Sequence, residues 1–97
     1  MNVTIWKIPV DIIDEQTIKL PPCTEFLCAR VQRNTNMLER PVLWVRVTDY
    51  EDERTFVNYR ISIVCIRQIV NHTLSMQYLD TFTTSDGFTG HVFIKRL

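Results

Sequence analysis

Apolar and polar residues alternate at period two along most of this 97-residue chain, and that alternation limits what the chain can fold into. Residues 42–48 are the clearest case, because Leu43, Val45 and Val47 form one stripe while Trp44 and Arg46 form the other. Successive side chains of a β-strand point to opposite faces of a sheet, so this spacing is typical of half-buried strands. The pattern therefore predicts an all-β protein, and it says much more about fold than about chemistry.

The predicted strands lie within residues 3–10, 17–20, 25–33, 42–48, 54–59, 61–70, 76–83 and 88–96. In the 61–70 stretch a helix competes with a strand, and the density of β-branched residues favours the strand. Loop signals separate the strands: Asn34-Thr35-Asn36 begins a long hairpin loop, 49–53 is an acidic run, and Ser85-Asp86-Gly87 is a turn. We expect a single domain over residues 1–97, an antiparallel β-sandwich or partly open barrel of about seven strands.

Charge and cysteine content exclude several classes of protein. Eleven basic and eleven acidic side chains give a net charge of zero, so we expect no nucleic acid polymer as a partner. The three cysteines cannot all pair with one another and the chain opens without a basic and apolar leader, which predicts a cytoplasmic protein. No apolar run approaches the roughly 18 to 20 residues that span a bilayer, so no membrane is expected.

The side chains that could support metal binding or catalysis do not form a recognised pattern. Cys23 and Cys28 are one loose pair, and a zinc site would need Cys65, His72 or His91 to complete it. His91 could in principle meet Cys28 or Cys65 across a sheet, yet no local signature of a nucleophile and base accompanies them. Only two glycines occur, too few for a phosphate-binding loop. We therefore expect no cofactor, no metal and no enzymatic activity.

A possible binding face lies on the hairpin formed by residues 25–33 and 42–48. Strict alternation places one set of side chains in the core and a second set on the opposite face; the core set is Leu27, Ala29, Val31, Leu43, Val45 and Val47. The opposite set contains Phe26, Arg30, Trp44 and Arg46, and tryptophan with arginine is typical of the energetic centre of an interface. Two alternatives stay open: another part of the chain, such as residues 61–70, covers this face, or the arginines hold an anionic ligand.

Several short motifs at both ends of the chain resemble a family of small uncharacterised phage and prophage proteins. They are Ile5-Trp6-Lys7-Ile8-Pro9, Asp14-Glu15-Gln16-Thr17-Ile18, Leu43-Trp44, Tyr78-Leu79-Asp80-Thr81-Phe82, and Gly87 followed by His91-Val92-Phe93. The chain departs from that family where Tyr59-Arg60-Ile61-Ser62-Ile63 replaces a glycine-containing element and where Asp80 replaces a glycine. The resemblance implies a phage-related setting and no reaction.

These observations favour a protein that acts by binding. Our first hypothesis is a homo-oligomeric accessory protein that engages a host protein through Phe26, Arg30, Trp44 and Arg46. Counteracting a bacterial defence is the example we consider for such binding. The second is an oligomer that sequesters a small anionic signalling nucleotide, and it predicts a concave pocket on which at least two arginines converge. The third is a minor virion structural protein that uses the same face for assembly.

Overall fold

The computed structural model describes residues 2–33, 39–49 and 52–97. Its strands are β1 (Val3–Pro9), β2 (Gln16–Leu20), β3 (Thr24–Arg33), β4 (Glu39–Thr48), β5 (Val57–Val64), β6 (Gln77–Thr83) and β7 (Thr89–Arg96). Two short 3₁₀ helices, Glu53–Thr55 and Asn71–Ser75, are the only helical segments in this part of the chain. Within those residues, no helix has the length and apolarity to cross a membrane.

The seven strands form two antiparallel sheets. One has the order β1-β4-β3 and the other has the order β2-β5-β7-β6. The sheets share no strand, so the molecule is an open sandwich rather than a closed barrel. The predicted all-β class and the total of about seven strands are confirmed. The stretches 54–59 and 61–70, predicted as separate strands, contribute to the single strand β5, and residues 54 and 55 lie in a 3₁₀ helix instead. The antiparallel β3–β4 hairpin is also confirmed, although Asn34-Thr35-Asn36 of its loop lies outside the described residues.

The core lies between the inner faces of the two sheets. Leu43, Val45 and Val47 of the central strand β4 are buried there, as their spacing predicts. They pack within two adjoining groups of buried side chains drawn from both sheets: Val10, Ala29, Leu43, Ile61, Ile63, Phe82 and Val92; and Leu20, Val45, Val47 and Tyr59. Leu43, Val45 and Val47 therefore stabilise the contact between the sheets by removing apolar surface from water.

A β-bulge in β3 changes which of its side chains face the core. Phe26 pairs with Val45, but the next paired residue, Cys28, faces Trp44, so Leu27 is an extra residue in the strand. Phe26 consequently lies on the inner face and Leu27 is 40% exposed. The prediction that Leu27 faces the core and Phe26 faces outward is wrong, whereas Ala29 lies inward as expected.

The stretch 61–70 is a strand only in its first four residues. β5 ends at Val64, and residues 65–70 contain a turn and irregular backbone with no helix. The prediction of a strand is therefore right as far as Val64 and wrong beyond it. The following chain lies against the outer face of the four-stranded sheet, where the His72 ring Nε2 is 2.8 Å from the hydroxyl of the fully buried Ser62.

The predicted turn at Ser85-Asp86-Gly87 has the expected geometry. Gly87 adopts a φ of 91°, a conformation that glycine tolerates best, in the turn between β6 and β7. Asp49 has a φ of 40°, and its carboxylate accepts the backbone N–H of Asn2. Residues 50 and 51 of the acidic run lie outside the described residues, and Asp52 caps the 3₁₀ helix that follows by accepting the backbone N–H of Arg54.

Candidate functional site

The outward side chains of the three-stranded sheet form a continuous surface, which we call the Trp44 face. Cross-strand pairing places Lys7 of β1 and Cys28 of β3 on either side of Trp44, and it places Ile5 beside Arg46. The members of the face are Val3, Ile5, Lys7, Glu25, Cys28, Arg30, Val42, Trp44 and Arg46. Val3 and Ile5 remain 50% and 53% exposed, whereas Val42 is buried.

Trp44 lies at the centre of this face, half-buried between its neighbours. The ammonium of Lys7 is 5.6 Å from the centroid of the indole ring, within the range of a cation–π contact. This contact folds the lysine side chain back over the sheet. Trp44 is only half-buried, so part of its surface stays accessible.

The charge of Arg46 is compensated within the face. Its Nε donates to the Glu25 carboxylate at 3.0 Å, and its Nη2 forms an ion pair with the same oxygen, Oε2. Both side chains are about half-exposed, so the pair contributes little to stability. Its effect is to leave this side of the Trp44 face close to electrical neutrality.

The charge of Arg30, at another margin of the face, is also compensated by a carboxylate. Its Nη1 lies 2.5 Å from Oδ2 of Asp80, a residue of the other sheet. The same Asp80 oxygen accepts the backbone N–H of Ala29 at 2.9 Å, and Oδ1 accepts that of Thr81 at 2.8 Å. Burial alone would raise the pKa of Asp80, but these three donors outweigh it and hold the pKa below its usual value.

The structure brings together three of the four residues predicted to form the binding face. Trp44, Arg30 and Arg46 are outward and close in register. Phe26 is not among them, because the bulge at Leu27 turns it inward to contact the Tyr59 ring edge-on at a centroid distance of 5.2 Å. Val3, Ile5 and Lys7 belong to the face instead, and sequence reasoning missed them because the pairing of β1 with β4 joins residues distant in the chain.

A hollow of about 320 Å³ lies at one end of the Trp44 face, and two arginines border it. It is lined by Lys7, Pro9, Gln32, Arg33, Arg40 and Val42. Both arginines already have carboxylate partners, since Arg33 lies 3.5 Å from Glu39 and Arg40 lies 3.0 Å from Asp11. Hydrogen bonds from Ser85, together with Arg33, lower the pKa of Glu39 and favour its charged form.

A larger cleft of about 610 Å³ opens where β3, β6 and β7 approach one another. The residues that line it include the aromatic residues Phe26, Tyr59 and Tyr78 and the cationic residues Lys95 and Arg96. Lys95 and Arg96 lie within ion-pair distance of no carboxylate in the part of the chain that the structure describes. Lys95 donates to the Ser75 hydroxyl at 3.3 Å, and Arg96 donates to the carbonyl of Pro22 at 3.4 Å.

The cysteines and histidines do not assemble into a reactive or metal-binding group among the described residues. Cys28 belongs to the three-stranded sheet whereas His91 belongs to the four-stranded one, and the thiol of Cys65 is 3.4 Å from the amide oxygen of Gln68. His91 Nδ1 lies 2.9 Å from the Thr81 hydroxyl. These contacts are consistent with structural hydrogen bonding of both histidines.

Comparisons with known proteins identify a family without adding a function. No curated protein and no solved structure matches the chain. A family model described as a domain of unknown function, DUF7352, matches residues 1–97. Because that match covers the whole chain, the protein belongs to the DUF7352 family.

Proposed function

We propose that this protein acts by binding a partner protein through the Trp44 face, without catalysing a reaction. The observation that carries the proposal is a partly exposed face with an aromatic residue at its centre, whose arginines are compensated by carboxylates. An aromatic residue surrounded by a polar rim is the usual arrangement of an interaction hot spot. A rigid sheet also presents such a residue with little loss of conformational entropy on binding.

The compensated charges favour a protein partner over an anionic ligand on this face. Arg30 interacts with Asp80 and Arg46 interacts with Glu25, so an anion at either guanidinium would be repelled by a neighbouring carboxylate. Two arginines also line the nearby hollow, but Arg33 and Arg40 are compensated as well. A phosphate placed there would compete with Glu39 and Asp11 for those arginines.

A second exposed apolar surface exists and must be distinguished from the first. Ile69 and Leu74, in the segment that follows β5, are 82% and 89% exposed. Leu74 lies in a short 3₁₀ helix and Ile69 in irregular backbone, so neither is held by strand pairing on both sides as Trp44 is. We place the binding site on the Trp44 face because pairing on both sides holds its central residue in one geometry.

We further propose that the partner is a bacterial host protein, that binding counteracts a host defence, and that the protein acts as a homo-oligomer. The resemblance to phage and prophage proteins is the support for the host setting. The support for self-association is an open strand edge that borders the Trp44 face. A minor virion protein would use the same face for assembly, and it would form polymers without a host protein.

The test compares wild-type protein with Trp44→Ala and two matched variants. Tyr78→Ala removes an exposed aromatic ring from the other sheet, and Leu74→Ser removes the most exposed apolar side chain of the second surface. We expect a bacterial protein to be captured by wild type, Tyr78→Ala and Leu74→Ser but not by Trp44→Ala, and to bind again when both purified proteins are mixed. Binding that survives Trp44→Ala but not Leu74→Ser would move the site to the second surface.

A small anionic molecule is a second candidate ligand, at the larger cleft rather than on the Trp44 face. The supporting observation is that Lys95 and Arg96 border aromatic rings there without a carboxylate partner in the described chain. Arg60 lies directly opposite Lys95 on the neighbouring strand, and such like-charge pairs are destabilising unless an anion compensates them. Thermal unfolding with inorganic phosphate and with a panel of nucleotides tests this. A stabilisation that Lys95→Gln abolishes supports the site, and the absence of any stabilisation removes it.

A further inference from the structure

We propose that the open edge of β1 pairs antiparallel with β1 of a second copy of this chain, so that Ile5 lies opposite Ile5 of the copy. The result is a six-stranded sheet across a two-fold axis. This inference rests on the homo-oligomer part of the proposed function and specifies its interface.

Hydrogen bonds at the two ends of β1 fix which of its backbone groups are free. The N–H of Asp49 donates to the carbonyl of Asn2 at 3.0 Å, and the N–H of Val10 donates to the carbonyl of Pro41 at 3.1 Å. On the β1 side, both bonds use an even-numbered residue, Asn2 or Val10. Since the pattern alternates in an antiparallel pair, even-numbered residues face β4, and the N–H and C=O groups of Val3, Ile5 and Lys7 point to the open edge.

The other three sheet edges are distorted or short, whereas β1 carries only Lys7 and Pro9 as residues that discourage pairing. In β3 the bulge at Leu27 distorts the edge, and the backbone N–H of Ala29 is bound to Asp80. β6 is interrupted by a second bulge, at Leu79, and β2 has only five residues. β1 is seven residues long and regular, and Pro9 lies at its end. A long, regular strand edge can pair with a strand of another chain.

The charge of Lys7 determines the register. A pairing centred on Ile5 places Lys7 opposite Val3 of the copy, so the lysines do not face each other. The ammonium of Lys7 is held over the Trp44 ring of its own chain and therefore does not obstruct the edge. The chain carries no net charge, so no long-range repulsion opposes association.

This arrangement enlarges the proposed binding face. A two-fold axis perpendicular to the sheet keeps outward side chains on the same side, so Ile5 of both chains lies at the centre with one Trp44 on each side. Edge pairing of two short strands buries less than the roughly 1,600 Å² of a standard interface. The dimer should therefore dissociate on dilution between about 1 mM and 1 µM.

Light scattering over a dilution series tests the pairing without any partner protein. We expect wild type to change from two chains to one between about 1 mM and 1 µM. Ile5→Lys should be monomeric throughout, because it places two lysines in contact across the axis. The matched control is Ile69→Lys, which adds the same charge at a more exposed isoleucine and should dimerise as wild type does.

A charge-swap experiment tests the register itself. Ile5→Glu alone should also be monomeric, whereas an equal mixture of Ile5→Lys and Ile5→Glu should form a dimer of one chain each. Failure of the mixture to associate, a wild type that stays monomeric, or growth of open polymers would overturn the proposed pairing. Because these measurements contain no host protein, their outcome is independent of whether the Trp44 face captures one.

Discussion

The carboxylate of Asp80 in β6 accepts the backbone N–H of Ala29 in β3 at 2.9 Å, and this bond joins the two sheets at one side of the sandwich. The two residues are 51 positions apart in the chain. Ala29 is fully buried, so its N–H has no access to water as an alternative partner. Asp80 also orients Arg30 at the margin of the Trp44 face, and the same contact therefore serves the fold and the candidate site.

Asp80→Asn should lower the free energy of unfolding by about 1–2 kcal/mol, because a charged acceptor is replaced by a neutral one. Chemical denaturation near neutral pH measures this. The matched control is Asp11→Asn, which breaks the exposed ion pair with Arg40 and should cost less than about 0.5 kcal/mol. Equal effects of the two substitutions would contradict the assignment of Asp80 as a link between the sheets.

The same carboxylate predicts how stability depends on acid. The pKa of Asp80 in the folded protein lies below its ordinary value of 3.8, so the unfolded chain binds a proton first as the pH falls. The stabilisation that Asp80 provides is fully present above about pH 4 and decreases as the pH approaches the pKa of the folded state. Unfolding measured across that range should therefore show a steeper loss of stability in wild type than in Asp80→Asn.

Gly90→Ala should destabilise the protein by about 1–3 kcal/mol through overpacking. A Cβ at this position would lie 2.5 Å from Cζ of Phe82 and 3.0 Å from a methyl carbon of Ile63, and Phe82 is itself buried. Phe82→Leu in the Gly90→Ala background should recover part of that loss, although Phe82→Leu alone is destabilising. If the losses of stability from Gly90→Ala and Phe82→Leu simply add in the double variant, the Phe82 ring and Gly90 do not pack as described.

The bulge in β3 predicts opposite outcomes for two adjacent substitutions. Phe26→Ala should cost about 3 kcal/mol, because it leaves a cavity beside Tyr59 in the core. Leu27→Ala should cost less than about 1 kcal/mol, because the side chain is partly exposed and is an extra residue in the strand. Denaturation curves of the two variants compare the two losses of stability directly. A larger loss in Leu27→Ala than in Phe26→Ala would contradict the bulge and support strict alternation in β3.

Alternation predicted the strands well because it depends on each residue's neighbours in the chain. In β4 it correctly separated Leu43, Val45 and Val47 from Trp44 and Arg46. It failed in β3, since one inserted residue reverses the faces on one side of the bulge and no residue type at Leu27 signals the insertion. Pattern reasoning could not anticipate the ion pairs of Arg30 and Arg46 either, because they depend on tertiary placement and strand register.

The segment after β5 shows a second limit of sequence reasoning. Ile66 and Ile69 are the same residue type as the buried Ile61 and Ile63, yet they are among the most exposed apolar side chains of the described chain. The distinction comes from where β5 stops pairing with β7, at Val64 opposite His91. Apolar density alone therefore located the strand but not its end.

The most direct test of the binding proposal uses the two tryptophans as reporters of opposite faces. Trp44 lies on the outer face, and Trp6 packs toward the core, where its ring centroid is 6.3 Å from that of Phe56. The NMR signals of the two indole N–H groups should be recorded while the purified captured protein is added. We predict that the Trp44 signal shifts in proportion to complex formation and that the Trp6 signal stays in place. A complex that forms while the Trp44 signal does not change would contradict the proposal.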